Sequence, residues 1–275
     1  MKILVLPDIH GRTFWKTPCE NIEKYDKVIF LGDYLDPYDF EKIAVYDAID
    51  NFKDILLFAE KHHDKVITLL GNHDGSYFSS IYYGFSTYHC RHSNVHHKEI
   101  SEIFKSHEDF FKVAEECGGI LFTHAGCTSG WLNEVFKGKY DKEINMDDLC
   151  QDLNNLLKSK DGLLSLYMIS SNRGGYDDFG SCIWADYYEM LWDSTNSIVD
   201  GKHHPIHDIK QVFGHTMQAF RENPRIIEKS EGRFELVSGY KFGNALETKN
   251  IKMVDTACAY ELDTEKFEIN KIENS

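Results

Sequence analysis

The sequence predicts an α/β protein in which a parallel sheet is covered by helices, and three observations carry that reading. Short apolar runs of strand length recur through the first half of the chain. A stripe with helical spacing separates two of them. Each run stops abruptly at polar residues, Gly, Asn and Asp among them, of the kind that tight turns favour.

The runs come in order as KILVLP (2–7), KVIFLG (27–32), KVITLLG (65–71) and GILFTHAG (119–126). Between the second and third, EKIAVYDAIDNFKDILLFAEKH places Ile43, Tyr46, Ile49, Phe52, Ile55, Leu56 and Ala59 at three- and four-residue intervals, the apolar face of an amphipathic helix. A strand, a helix and a strand in succession imply parallel pairing, with the helix packed on the sheet. MDDLCQDLNNLLKSK, apolar from Met146 to Leu157, predicts a second helix, and IKQVFGHT (209–216) a later strand. The length of 275 residues and 42% hydrophobic content suit one large domain or two small ones. A single domain over 1–275 is expected, with an insertion at about 127–207 that covers the site and sets substrate choice.

Charge narrows the partners. Thirty Lys and Arg against 45 Asp and Glu give a formal net charge of -15, so no broad basic surface awaits a nucleic-acid backbone or an anionic membrane. An anionic substrate would need local positive charge, which bound metal ions can supply. The seven cysteines (Cys19, Cys90, Cys117, Cys127, Cys150, Cys182, Cys258) are odd in number and never form a CxxC pair, which argues against a disulfide framework or a zinc knuckle. The first apolar run is too short for a secretory signal and no later one spans a membrane, so a cytoplasmic protein is expected.

In open parallel sheets, ligands bind beyond the carboxyl ends of the strands. Those places hold Asp8 and His10, then Asp33 and Asp36, then Asn72 and His73, then His124, and finally His215. Every one of these side chains can ligate a metal, donate a proton or orient a neighbour. A lone His after a strand is ordinarily structural; five strand ends delivering the same chemistry are not.

In order, DIH, GDYLD, GNHD, THAG and GHT resemble the five blocks of the calcineurin-like metallophosphoesterases. The resemblance spans about 1–126 and 207–270. It implies a central β-sandwich of two mixed sheets flanked by helices in four αββα layers, with two metal ions at one edge. It also implies one ion held by Asp8, His10 and Asp33, and a second held by Asp33, Asn72, His124 and His215, with Asp33 bridging. Carboxylate and imidazole donors without cysteine suit Mn²⁺, Fe or Zn²⁺. Two such ions about 3.5–4 Å apart activate a bridging water as hydroxide and clamp the attacking and leaving oxygens at phosphorus. By the same resemblance His73 protonates the leaving group as general acid, and Asp36 accepts a hydrogen bond from its ring. Asp74, where the protein phosphatases carry Glu, is expected to hydrogen-bond the turn.

The nearest branch is that of the phosphoprotein phosphatases and diadenosine tetraphosphatases, which the later segments KMVDTACAYEL and SCIWADYYEML also resemble. In the phosphatases, however, the second block continues into Arg-Gly and an Arg precedes the third; here those places hold Pro37, Tyr38 and Leu70. Arg173, in SSNRGGYDDFG, and Arg12 are the candidates to grip phosphate instead. The histidine-rich run YHCRHSNVHH (88–97) lacks metal-ligand spacing and is expected to be a surface loop near the mouth of the site. The leading function is hydrolysis of a phosphomonoester or a nucleotide-type phosphoanhydride, on a phosphorylated small molecule, nucleotide or phosphoprotein. A Ser/Thr protein phosphatase and a catalytically inactive binding scaffold are the alternatives.

Overall fold

A computed structural model of the chain describes residues 1–79, 89–196, 198–199, 202–217, 219–221, 225–228, 234–237, 240–242 and 245–272. Tyr88, which opens the histidine-rich run, and positions 197, 200 and 201 of the expected insertion lie outside them. Two mixed sheets form the centre. The first has strands β1 (Lys2–Leu6), β2 (Lys27–Phe30), β3 (Val66–Leu69) and β4 (Phe111–Lys112) in parallel succession. The second contains β5 (Ala114–Cys117), β6 (Ile120–Thr123), β7 (Lys210–Phe213), β8 (Leu246–Glu247) and β9 (Ile251–Met253) in the spatial order β8-β9-β7-β6-β5. β6, β7 and β9 run parallel, and β5 and β8 close the edges antiparallel. β10 (Tyr260–Asp263) returns antiparallel to β1, and β11 (Glu268–Lys271) follows on its outer side.

Alternation along the strands builds the layers. Ile3, Val5, Ile29, Leu31, Ile67 and Leu69 of the first sheet meet Ile120, Phe122 and Val212 of the second in one buried core between the sheets. Leu4, Leu6, Val28 and Phe30 point the other way, against Ala48, Ile49, Phe52, Ile55 and Leu56 of helix α1 (Val45–Lys61). Because both faces are covered, these strands read as unbroken apolar runs. The helical stripe is confirmed from Ile49 to Ala59, but Ile43 precedes the helix and Tyr46 is 65% exposed.

The third strand does not end in a turn. Residues Asn72–Phe78 form helix α2, and Gly75 lies inside it. Asp74 starts the helix by accepting the Gly71 N–H at 2.8 Å. After helix α3 (His97–Ser106) comes the segment expected as a covering insertion. Its helices α4 (Ser129–Phe136), α5 (Met146–Asn155) and α6 (Lys160–Leu166) pack Trp131, Leu132, Leu149, Leu153, Leu163 and Leu166 on Leu121 and Ala114, forming the outer layer of the second sheet. Their caps are local: Asn145 accepts from the amides of Asp147 and Asp148, Ser159 from that of Gly162, and Thr128 from that of Trp131. The part that approaches the site lies between Ser170 and the start of helix α7 (Tyr187–Asn196). All seven cysteines are free. Among the described residues no helix is long and apolar enough to cross a membrane.

Candidate metal centre

The carboxyl ends of β1, β2 and β3 from one sheet and of β6 and β7 from the other meet at a single edge, and all eight predicted side chains gather there. Tight backbone geometry places them. His10, Asp33, Asp36 and His215 adopt left-handed φ values of 45°, 53°, 58° and 66°. Each costs about 1–3 kcal/mol in a non-glycine residue and persists where surrounding bonds dictate it. Here the loops after β1 and β2 are laced together by His10 N to Asp33 O at 2.6 Å and Gly11 N to Tyr34 O at 3.0 Å. Gly71 and Gly214 are required for a different reason: a Cβ at either would stand 2.1 Å from a carboxylate oxygen, of Asp33 and Asp8 respectively.

Asp33 is the hub. Its Oδ1 accepts the amide of His73 at 2.9 Å, which turns Oδ2 toward the Nε2 atoms of His10, 3.5 Å away, and His124, 3.6 Å away. Both imidazoles are fixed by backbone carbonyls, His10 Nδ1 on Leu35 and His124 Nδ1 on Leu31, each at 2.8 Å. A carbonyl can only accept, so each Nδ1 carries the proton and, in the neutral ring, each Nε2 presents a lone pair to the carboxylate. His124 Nε2 also lies 3.0 Å from Asn72 Oδ1 and 3.2 Å from His215 Nδ1, and the latter two are 2.9 Å apart. Acceptors facing acceptors in a buried space repel one another unless a cation stands between them.

Among the described residues two groups satisfy the spacing for such a cation. His10, Asp33 and His73 form one and Asp33, His124 and His215 the other, with ligand atoms within 4.8 Å of each other in each and Asp33 common to both. The first differs in composition from the expected set: His73 stands in it, whereas Asp8 lies at the same edge with its carboxylate accepting the His215 amide at 3.0 and 3.1 Å. Hard oxygen and borderline nitrogen donors fit Mn²⁺, Fe or Zn²⁺, and His215 turns its Nδ1 toward Asn72 Oδ1 and His124 Nε2.

The electrostatics agree. Burial, then the charges of His73, Arg12 and Arg91, push His10 well below the ordinary histidine range. Burial, Arg173 and His124 do the same to His215. Both rings are thus neutral and able to ligate. Conversely, burial and the nearby Asp33 raise Asp8, and burial with Asp8 raises Asp255. A crowd of buried carboxylates is relieved by a cation.

His73 differs from the other histidines. Its Nδ1 lies 3.1 Å from both Asp36 Oδ2 and the carbonyl of Arg91, two acceptors, so Nδ1 carries a proton. Burial opposes its charge, but Asp33 and Asp36 outweigh burial and raise its pKa. Tyr77 donates its hydroxyl to Asp36 Oδ1 at 2.6 Å, holding that carboxylate in place. Asp74 is the expected scaffold: it accepts the amides of Asp33, Tyr34 and Gly71 at 2.7, 3.0 and 2.8 Å.

Of the two arginines expected at the phosphate, Arg173 reaches the edge. It donates to Thr216 Oγ1 at 2.6 Å and pairs with Asp186 at 2.9 Å. Arg12 is committed elsewhere, in a bidentate buried pair with Glu41 at 2.6 and 3.1 Å and a bond to the Asp8 carbonyl at 3.0 Å. Holding the strand end, it has no fork to offer a phosphate. Two residues at this edge escaped the sequence reading. Asp255, two residues beyond β9, lies inside the segment KMVDTACAYEL, where no role is assigned to it from sequence. Arg91 lay inside the histidine-rich run, which packs directly on the site: Ser76 bonds His92 at 3.0 Å, and Arg91 Nε donates to the Asp36 carbonyl at 3.0 Å.

Comparison with known proteins points the same way. The profile of a family described as calcineurin-like phosphoesterase matches residues 1–219. No curated protein matches the chain in sequence. Among solved structures, a cold-active protein tyrosine phosphatase is similar with a TM-score of 0.51 and 13% identity, over 98% of this chain and 78% of that one. A protein serine/threonine phosphatase from Saccharomyces cerevisiae is similar with a TM-score of 0.50 and 13% identity, over 99% of this chain and 80% of that one. At such identities the likeness concerns the fold.

Proposed function

We propose, on the premise that this chain belongs to the calcineurin-like phosphoesterase family, that it hydrolyses a phosphomonoester or a nucleotide-type phosphoanhydride with the help of two metal ions. The observation that carries the proposal is the convergence of the His10 and His124 Nε2 lone pairs on one oxygen of Asp33. In this reading Asp8, His10 and Asp33 hold one ion, and Asp33, Asn72, His124 and His215 hold the other. Bound there, the ions supply an activated water and neutralise the charge that develops on the phosphoryl oxygens.

The chain's own part is to hold the phosphoryl group and move a proton. With Nδ1 locked on Asp36 and the Arg91 carbonyl, His73 has Nε2 left to protonate the departing oxygen, and its raised pKa favours the acid form. Arg173, tethered beside His215 by Thr216 and Asp186, is assigned to the phosphoryl oxygens. Residues 170–187, which border that side, are the part of the expected insertion that would set substrate choice. The site is buried and the chain carries a formal net charge of -15, which suits a small or locally presented phosphate rather than a nucleic acid.

The test is a substrate panel on the chain first stripped with chelator and then loaded with Mn²⁺. It comprises an alkyl phosphate, p-nitrophenyl phosphate, its diester analogue, diadenosine tetraphosphate and a phosphopeptide. Metal-dependent hydrolysis of a monoester or of the tetraphosphate supports the proposal. Activity confined to the diester overturns the substrate class, preference for the phosphopeptide marks a protein phosphatase, and inactivity with metal bound marks a binding scaffold.

A further inference from the structure

The arginines at the metal edge are not equivalent. Arg12 is neutralised by Glu41 and Arg173 by Asp186. Arg91 has no carboxylate within ion-pair distance among the described residues, since Asp36, the nearest acid named in its contacts, spends its oxygens on His73 and Tyr77. The guanidinium is nonetheless held firmly. Its Nε donates to the Asp36 carbonyl, and its carbon sits 3.6 Å from the centroid of the Tyr38 ring, a cation–π stack. Tyr38 in turn packs edge-on to the His10 ring at 5.1 Å. What remains is the terminal fork. Nη2 is buried without a hydrogen-bond partner among the described residues, and an orphaned donor of that kind is costly to bury.

We infer that Arg91 is a substrate-binding residue whose terminal nitrogens grip the phosphoryl oxygens beside His73. This rests on the phosphoesterase reading of the site. The physical case is one of charge and aim. A fixed, unneutralised guanidinium beside a centre built to hold cations calls for an anion, and its planar fork matches two oxygens of a phosphoryl group. The Arg91 carbonyl is one of the two acceptors that orient His73, so the proton donor and the proposed grip belong to one residue's backbone and side chain. The shelf it lies on is Tyr38, which follows Asp36, the carboxylate bonded to His73, by two residues.

The test uses the full-length, metal-loaded protein and inorganic phosphate as probe, with titration calorimetry beside steady-state kinetics. Arg91→Met is expected to weaken phosphate binding about 10- to 100-fold, the worth of a lost charged hydrogen-bonding pair, with metal content unchanged. Phosphate affinity within about twofold of wild type would overturn the inference. If Arg91→Met loses its cooperative melting transition, Arg91→Lys decides: it keeps the charge but not the fork, so weaker phosphate binding at an unchanged melting temperature supports the grip and unchanged binding refutes it. Should the wild type hydrolyse no phosphoester yet bind phosphate through Arg91, the catalytic reading fails and this one stands. Should hydrolysis proceed with phosphate affinity indifferent to Arg91, this one alone fails.

Discussion

Replacing His73 by Asn separates the two roles that its position permits, proton donor and metal ligand. The structure brings His73 within 4.8 Å of the ligand atoms of His10 and Asp33, close enough for either role. Its hydrogen bonds favour the first, because Nδ1 faces two acceptors at 3.1 Å and so keeps its proton. An unperturbed histidine is protonated in about a quarter of molecules at pH 7. Asp33 and Asp36 raise that share in the metal-free chain despite burial, and with cations on Asp33 the Asp36 carboxylate, hydrogen-bonded to Nδ1, is left to favour the charged ring. General acid catalysis of this kind is worth about 10²–10⁴ in rate, or about 3–5 kcal/mol of barrier. The assay is kcat on two substrates, an alkyl phosphate whose leaving alkoxide needs a proton and p-nitrophenyl phosphate whose phenolate does not. We expect His73→Asn to lose about 10²–10⁴ on the first and far less on the second, with metal content unchanged. For the wild type, activity on the alkyl substrate declines as pH rises through the His73 pKa, and Asp36→Asn moves that decline to lower pH by removing one of the charges that raise it. Equal losses on both substrates, or loss of one bound ion, would refute the proton-donor assignment and make His73 a ligand.

Three further outcomes follow from the same geometry. Burial raises Asp8 and Asp255 above the carboxylate value of 3.8, so each contributes stability to the metal-free protein that is lost as pH rises from the unfolded value through its raised folded one, whereas His10 and His215, pushed below 6.5, contribute the opposite slope. Asp255→Asn removes one carboxylate's share, so in chelator the variant is expected to gain stability relative to wild type between about pH 5 and about pH 8, and a difference in thermal unfolding that does not move with pH contradicts this. Gly214→Ala drives a methyl against Asp8 Oδ1, 2.1 Å from where its Cβ would stand, and is expected to weaken metal binding at least about tenfold with circular dichroism unchanged. Arg12→Met strands Glu41 in a largely buried position and should cost about 3–5 kcal/mol in urea unfolding, whereas a change below about 1 kcal/mol would mean the pair is solvated.

The strand ends proposed to bear ligands were legible because each is local: an apolar run stops, and the next few side chains are polar and can ligate or carry a proton. Asp8, His10, Asp33, Asn72, His124 and His215 need no long-range information beyond the expectation that parallel strands end on one edge. The helical stripe was legible for the same reason, and it misled at Tyr46, where the spacing continues past the point at which the helix meets the sheet. What the residue order hides is set by contacts between distant segments. Nothing in GNHDG alone says helix rather than turn; Asp74 decides it by binding Gly71 while also accepting the amides of Asp33 and Tyr34, some forty residues away. The left-handed backbone at His10 and Asp33 is likewise tied to the lacing of neighbouring loops, and that at His215 to its amide's bond with Asp8. Arg91 is the clearest case. In sequence it is one residue of a histidine-rich run, and the histidines draw the eye to a metal site of their own. In space that run is a wall of the existing one, and the histidine positions serve packing: His92 stacks on Tyr77 at 4.5 Å and bonds Ser76. The arginine between them is then the residue left with an unspent charge. Its signal in the sequence was indirect, an absent arginine after Asp36, and an absence says that a charge must come from elsewhere without saying from where.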